Sequence, residues 1–262
     1  MKIVSWNVNG LRAVHKRGDF TKFLKKTKPD VFGLQEIKAD DHQIPEEIRA
    51  IPGYHSHFSS SQVKKGYSGV ALYTKRQPDE VIKGIGTPRF DEEGRTVGAV
   101  FGDLVILNVY FPNGGGGPER LAYKLDFYDA FLEYIEGLRK KNKKIIFFGD
   151  VNTAHEPIDL ARPKENETNT GFLPEERAWI DEVISRGYID IYRKLYPAKE
   201  GVYTYWDIKT ASRDRNVGWR IDYFFVDPRV APAIQSTAVL SDIYGSDHCP
   251  IELVLDDKKL HM

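Results

Sequence analysis

The chain is poor in sulfur: one cysteine, Cys249, and two methionines occur in 262 residues. A lone cysteine excludes an intramolecular disulfide and leaves a structural zinc cluster without ligands; it fits a reducing compartment. Long apolar runs are missing as well. Nothing approaches the roughly 20 residues that cross a bilayer, and Met1 leads straight into a strand-like segment. Neither a membrane span nor a secretory leader is expected, so the chain reads as cytoplasmic, or nuclear in a eukaryote, and not secreted. There is no excess of either charge. Lys+Arg and Asp+Glu both number 38, which excludes a broadly cationic body. A polyanionic partner remains compatible, because a basic face around an acidic, metal-bearing centre sums to zero. Such a protein grips phosphates through a few placed contacts. Also absent are a G-x-S-x-G elbow, a Walker phosphate loop and an H-E-x-x-H helix.

What is present is an ordinary globular composition, 41% hydrophobic and 29% charged, with aromatics at a generous 12%. Strand-like runs cover residues 2–6, 31–34, 70–74, 96–101, 104–110, 144–148, 220–226, 238–240 and 250–255. Several are apolar without interruption, the pattern of strands covered on both faces. Helices are predicted over 19–28, 118–140 and 174–186. The second carries Leu121, Leu125, Tyr128, Leu132 and Ile135 at helical steps, with Pro118 at its first position. No linker divides the chain; the run 114–117 is four glycines between a strand and a helix. KIVSWNVNG near the start and KIIFFGDVNTA in the middle echo each other as Lys-Ile strands ending in Asn-bearing turns. Two such halves predict one domain over 1–255, a four-layer α/β sandwich of two packed mixed sheets flanked by helices. Residues 256–262 are polar and expected to fray.

The chemistry concentrates at strand ends, where turns can aim side chains into a common cleft. In Ser5-Trp6-Asn7-Val8-Asn9-Gly10 the two asparagines leave the strand on one side; taken alone, the motif reads first as turn chemistry. Glu36, in Leu34-Gln35-Glu36-Ile37-Lys38, follows a buried strand and is either a solvated loop residue or a ligand for a hard cation. Asp150 and Asn152, in Gly149-Asp150-Val151-Asn152, end a core strand, where they can orient an attacking water. Asp222 opens an aromatic strand behind Trp219, a residue type usually met in cores. In Gly245-Ser246-Asp247-His248-Cys249-Pro250 the Asp–His pair suits a phosphate site, since a carboxylate elsewhere would keep the imidazole cationic. Carboxylates, amides and one histidine point to Mg²⁺-like chemistry on a phosphate ester.

In this order WNVNGLR, LQEIK, YFPNG, GDVNTAH, Asn169-Thr170-Gly171-Phe172, NVGWRIDYFFV and GSDHCPI resemble the exonuclease III / class II apurinic-apyrimidinic endonuclease family over essentially the whole chain. That family belongs to the endonuclease/exonuclease/phosphatase superfamily with a deoxyribonuclease-I-like fold. The resemblance implies a DNA-repair enzyme acting as a monomer on double-stranded DNA with an abasic site or a damaged 3′ end. It would hydrolyse the phosphodiester 5′ to the abasic site and leave a 3′-OH, with 3′→5′ exonuclease and 3′-phosphodiesterase activity at the same centre. It implies Mg²⁺, with Mn²⁺ as a substitute, on Glu36, with Asn7, Asn9 and Asp247 beside it. Asp150 would orient or deprotonate the water, and Asn152 would hold the water or the phosphate. His248, steered by Asp222, would bond the scissile phosphate. Tyr110 would touch the phosphate or assist the leaving group, Asn113 would support the phosphate, and Asn169 would line the site. Tyr205, Trp219 and Ile221 would wall a pocket that admits a base-less sugar. A less selective nuclease or phosphodiesterase of the same superfamily is the alternative.

Backbone grip is expected from Arg12, Lys16 and Arg17, from Lys64, Lys65 and Tyr67, and from Lys124, Lys209, Arg213 and Arg215, though solvated lysines and phosphate binders look alike in sequence. Two loops depart from the family pattern. Residues 114–117 cannot supply the bulky cationic wedge of some relatives, and the 207–211 loop offers Lys209 where an apolar wedge is expected.

Overall fold

The computed structural model describes residues 1–260. Its strands are β1 (Lys2–Asn7), β2 (Val31–Gln35), β3 (His55–Ser59), β4 (Val70–Thr74), β5 (Glu80–Lys83), β6 (Thr96–Phe101), β7 (Leu104–Tyr110), β8 (Lys144–Asp150), β9 (Ile189–Asp190), β10 (Asp222–Val226), β11 (Ile234–Val239) and β12 (Ile251–Leu255). Its α-helices are α1 (Leu11–Lys16), α2 (Asp19–Thr27), α3 (Glu46–Arg49), α4 (Pro88–Asp91), α5 (Pro118–Lys140), α6 (Pro163–Asn166), α7 (Pro174–Ser185) and α8 (Ile191–Leu195).

The strands form two six-stranded sheets, ordered β11-β12-β1-β2-β4-β3 and β5-β6-β7-β8-β10-β9. The sequence echo is a structural one. β1 pairs parallel with β2 and antiparallel with β12; β8 pairs parallel with β7 and antiparallel with β10. Both sheets are therefore mixed in the same pattern, and both echoed strands lie inside their sheets.

Alternation decides which side chains fill which layer. Ile3, Val31, Leu72, Ile106, Ile146, Phe148 and Leu253 point between the sheets. Val4, Trp6 and Phe32 point outward under α1 and α2, where they meet Leu11, Phe20 and Phe23. Val105, Leu107, Ile145 and Phe147 point outward under α5 and α7. The result is the expected helix–sheet–sheet–helix sandwich. Each of these apolar side chains contributes about 1.5–3 kcal/mol on burial. Gly33 lies where the sheets approach most closely. A Cβ there would stand 2.5 Å from Phe148 and 2.6 Å from Asn108, so only glycine fits.

Three sequence expectations are corrected. The buried stripe of α5 is Lys124, Phe127, Tyr128, Phe131, Leu132 and Ile135; Leu121 and Leu125 stand at its margin. The chain does not fray from 256: Asp256 N–H donates to Ala233 O at 2.7 Å, 257–259 form a 3₁₀ turn, and Leu260 is buried in the inter-sheet core. His261 and Met262, part of the same expected tail, lie outside the described residues. Strands β3, β5 and β9 were not foreseen. Among the described residues no helix is long and apolar enough to cross a membrane.

Candidate active site

Strand register assembles the site at one end of the sandwich. Tyr110 ends β7, Asp150 ends β8 and Asp222 begins β10; Tyr110 pairs with Asp150, and Asp150 with Asp222. Three functional side chains thus stand on three neighbouring strands. From the other sheet, Asn7 ends β1 and pairs with Gln35, the residue before Glu36. Beyond the strand ends the backbone is strained. Asn9, Glu36, Lys38 and Asn152 have φ of 44°, 52°, 50° and 58°. Positive φ in a non-glycine residue costs free energy, and it recurs where function fixes a side chain's direction.

Asn7 Nδ2 donates to Glu36 Oε1 and to Asp150 Oδ2, each at 2.9 Å, and its Oδ1 accepts from Asn9 N–H at 3.0 Å. In this arrangement Asn7 orients two carboxylates through its amide nitrogen, and its oxygen is turned to the Asn9 backbone. Asn9 Nδ2 donates to Asp247 Oδ2 at 2.9 Å, and its Oδ1 accepts from Lys38. The Lys38 ammonium also lies 2.8 Å from Glu36 Oε2. Burial raises the Glu36 pKa, but Lys38 and the Asn7 amide outweigh it and hold the carboxyl below its ordinary value.

Asp222 Oδ2 lies 2.8 Å from His248 Nδ1, and His248 Nε2 lies 3.8 Å from Asp150 Oδ2; all three residues are buried. Burial opposes charge on the imidazole, yet Asp222 and then Asp150 prevail and lift its pKa to about 10. The Asp150 pKa rises to about 7: burial dominates, His248 pulls it down, and Asp222 and Glu36 push it up. His248 is therefore a standing cation with both ring nitrogens protonated. Asn152 N–H donates to Asp150 Oδ1 at 2.8 Å and Asn152 Nδ2 to Phe111 O at 2.9 Å, while Asn113 Nδ2 donates to Asn152 Oδ1 at 3.0 Å. Tyr110 is buried under the Arg95 guanidinium, 4.8 Å from its ring, and its hydroxyl faces Glu36. Burial first, then the Glu36 charge, drives its pKa well above the tyrosine range.

These groups open onto a cavity of about 390 Å³, whose other wall is Tyr205, Trp219 and Ile221 with Thr170 and Gly171 at the rim. The Tyr205 ring lies 4.9 Å from the His248 ring. Trp219, expected to be core or wall, faces the cavity. A larger cavity of about 590 Å³ near Ser59–Gln62 shares none of these groups.

Two expected residues lie elsewhere. The Asn169 amide turns to Asn166 Oδ1 at 3.0 Å, and its neighbours Thr170 and Gly171 line the cavity instead. Lys124 reaches no solvent: its side chain is 0% exposed and paired with Glu176, also 0% exposed. Lys16 and Lys209 are exposed, as is Arg12 beside Lys38 O. Arg17 is exposed and held by Asp19 and Gly245 O. Tyr67 is half-buried, its hydroxyl taking bonds from Arg95 at 2.8 Å and Arg120 at 2.6 Å. Sequence reading missed that Arg95–Glu93–Arg120 network, the part played by Lys38, and Ile208, which stands 67% exposed beside Lys209 on the 207–211 loop. The Glu93-Gly94-Arg95 turn gives no local sign of the first; the second lay unread within the LQEIK motif.

The oxygen-rich set suits a hard cation. The Lys38 ammonium between Glu36 and Asn9 shows that positive charge is accommodated there. Ligand-capable atoms of Asp150, Asp222 and His248 also lie within 4.8 Å of one another, a second group that could hold a metal ion.

Residues 4–248 match the Endonuclease/Exonuclease/phosphatase family. The chain belongs to that family. It is 42% identical to an exodeoxyribonuclease of Bacillus subtilis over 98% of this chain and 100% of the relative. It is 40% identical to a DNA repair nuclease of Danio rerio over 97% of this chain and 82% of the relative. Among solved structures it is similar to an AP endonuclease from Archaeoglobus fulgidus, with a TM-score of 0.87 and 28% identity over 98% and 99% of the two chains. A 3′-5′ exonuclease from Neisseria meningitidis gives 0.88 and 28% over 98% and 100%. The fold is therefore the deoxyribonuclease-I-like sandwich of these enzymes.

Proposed function

We propose that this chain is a DNA-repair nuclease that hydrolyses the phosphodiester 5′ to an abasic site in duplex DNA, leaving a 3′-OH. The same centre would carry 3′→5′ exonuclease and 3′-phosphodiesterase activity. The observation that carries the reading is the placement of the Asp222–His248–Asp150 line directly against an aromatic-walled cavity. The names of the relatives agree: an exodeoxyribonuclease, a DNA repair nuclease and AP endonucleases, with one related Neisseria structure bound to product DNA hairpin.

The roles follow from the protonation states. Asp150, held at one oxygen by Asn152 N–H and at the other by Asn7, takes the proton of the attacking water as its oxygen bonds to phosphorus. His248, kept cationic by Asp222, donates from Nε2 to a non-bridging phosphate oxygen. Tyr110 holds its proton too tightly to give it up and acts as a hydrogen-bond donor beside Glu36. Asn152 and Asn113 hold the phosphate. Glu36 would hold the divalent ion, Mg²⁺ or Mn²⁺, with Asn7, Asn9 and Asp247 beside it. When bound, that ion neutralises charge on the phosphate and the departing 3′ oxygen. The P–O3′ bond breaks, and the sugar carrying the 5′-phosphate stays in the cavity.

The cavity explains selectivity without base reading. Turning a nucleotide out of the helix costs a few kcal/mol, and least where no base is stacked. Tyr205, Trp219 and Ile221 form a wall that admits a bare deoxyribose. The reading takes the enzyme to act as a monomer, since the groups around the cavity form a complete set within one chain, and the single buried Cys249 fits a reducing compartment. The test is a panel of duplex oligonucleotides, abasic, uracil-containing and intact, with and without Mg²⁺. The abasic strand alone should be nicked rapidly; equal cutting of all three, or full rates in excess EDTA, would reject the proposal.

A further inference from the structure

Lys124 and Glu176 form an ion pair with no solvent exposure on either side, in a part of the molecule the chemistry above leaves unused. Every polar atom of the pair is engaged. The ammonium donates to Glu176 Oε1 at 2.5 Å, to Asn152 O at 2.8 Å and to Thr153 Oγ1 at 2.8 Å, which exhausts its three protons. Glu176 Oε1 also accepts from Thr170 Oγ1 at 2.7 Å, while Oε2 accepts from Gly171 N–H at 2.5 Å and Leu173 N–H at 3.0 Å.

The partners make the pair more than a packing device. Asn152 has left-handed backbone, and its N–H and side chain hold Asp150. Thr170 and Gly171 are the cavity rim. Gly171 packs so closely that a Cβ there would stand 3.3 Å from the Trp219 ring and 3.4 Å from Asn152 O, at a φ of 93°. The nucleophile side is tied to the Ile221 wall by the β8–β10 ladder and by Val151 N–H to Ile221 O at 2.8 Å, whereas the Thr170–Gly171 rim joins it through Ala154 N–H to Gly171 O at 2.8 Å and through the Lys124–Glu176 pair. A buried ion pair is weak evidence for stability, since an apolar pair of similar volume serves that end as well.

We propose that the Lys124–Glu176 pair is a positioning unit that keeps Asn152, and through it Asp150, in register with the Thr170–Gly171 rim of the sugar cavity. This rests on the nuclease reading for its kinetic consequences, though not for its structural ones. Small displacements of a positioned group can cost up to about a hundredfold in rate. Loosening the pair should therefore lower kcat while leaving ground-state DNA binding largely in place.

The experiment compares two variants. K124M/E176Q removes both charges together, so neither is left buried alone. I135A makes a cavity in the same helix, far from the pair, and serves as the stability-matched control. For K124M/E176Q we expect kcat on abasic duplex to fall about tenfold or more per folded molecule, with KM changed by less than about threefold. The preference for abasic over intact duplex should fall with it. I135A should keep its kcat per folded molecule. Amide hydrogen exchange supplies a readout independent of activity: Gly171 should exchange faster in K124M/E176Q and not in I135A. Wild-type kcat in the double variant, or a loss that only follows the folded fraction as in I135A, would overturn the proposal. Faster Gly171 exchange in K124M/E176Q, together with a wild-type protein inert on abasic DNA, would instead sink the nuclease reading and leave the positioning unit standing.

Discussion

Asn7 and Asp150, 143 residues apart, meet across the two sheets: Asn7 Nδ2 donates to Asp150 Oδ2 at 2.9 Å. The same amide group donates to Glu36 at 2.9 Å, so one asparagine stands between the proposed base and the carboxylate proposed to hold the cation. Replacing it by alanine leaves two buried carboxylates facing each other. Asn7→Ala should raise the Asp150 pKa, move the acid limb of the pH–rate profile to higher pH and lower kcat/KM by roughly ten- to a hundredfold. An unshifted acid limb would show that the amide has no such part.

The His248–Asp222 pair makes a prediction about stability against pH. In the metal-free protein the His248 pKa lies at about 10, above its ordinary 6.5. A raised histidine contributes stability that is fully present below about 6.5 and is lost as pH rises through about 10. Asp150, raised to about 7 in the fold, acts in the same direction: its proton is favoured in the fold, so stability falls as pH rises from about 4 to 7. The unfolding free energy of metal-free protein, measured by urea titration, should therefore decline from pH 5 to 10 by an amount on the order of a few kcal/mol. Asp222→Asn should flatten the alkaline part, and NMR of its imidazole should show a His248 pKa several units lower.

Trp219 is predicted to act on the sugar and not on the chemistry. Trp219→Ala should slow abasic-site nicking about tenfold more than hydrolysis of a small phosphodiester, the size expected from one aromatic contact of about 1–3 kcal/mol. Equal losses on both substrates would favour the less selective phosphodiesterase.

Glu36 is predicted to hold the ion. Glu36→Gln should weaken Mn²⁺ binding, read by electron paramagnetic resonance in the absence of DNA, at least about tenfold, and should abolish rescue of EDTA-treated protein by added Mg²⁺. Unchanged Mn²⁺ affinity would move the ion to other oxygens.

The sandwich was legible because its inner strands are buried on both faces: residues 145–148 and 104–107 are continuous apolar runs, which a solvated surface disfavours. Edge strands escaped for the opposite reason. His55–Ser59 and Glu80–Lys83 are half-exposed and polar, so nothing in their composition separates them from loops. The catalytic groups were legible as types at strand ends, but their mutual bonds were not; Asn7 looked like an oxygen donor until its amide was seen pointing at two carboxylates. Lys124 was misread because a helical lysine is ordinarily solvated. Its partner Glu176 lies 52 residues away on another helix, and no local pattern couples them. Leu260 was misread likewise: an apolar residue in a mostly polar tail still packs into the inter-sheet core.

The most direct test of the central claim is the position and chemistry of the cut. A duplex with one abasic site, 5′-labelled on the damaged strand, should give with Mg²⁺ a first product ending at the nucleotide before the lesion, shortened from that end only later, and a DNA polymerase should extend it without further treatment because it carries a 3′-OH. A product cut on the 3′ side of the lesion, an end the polymerase cannot extend, or a ladder of equal cuts at undamaged positions would contradict the account.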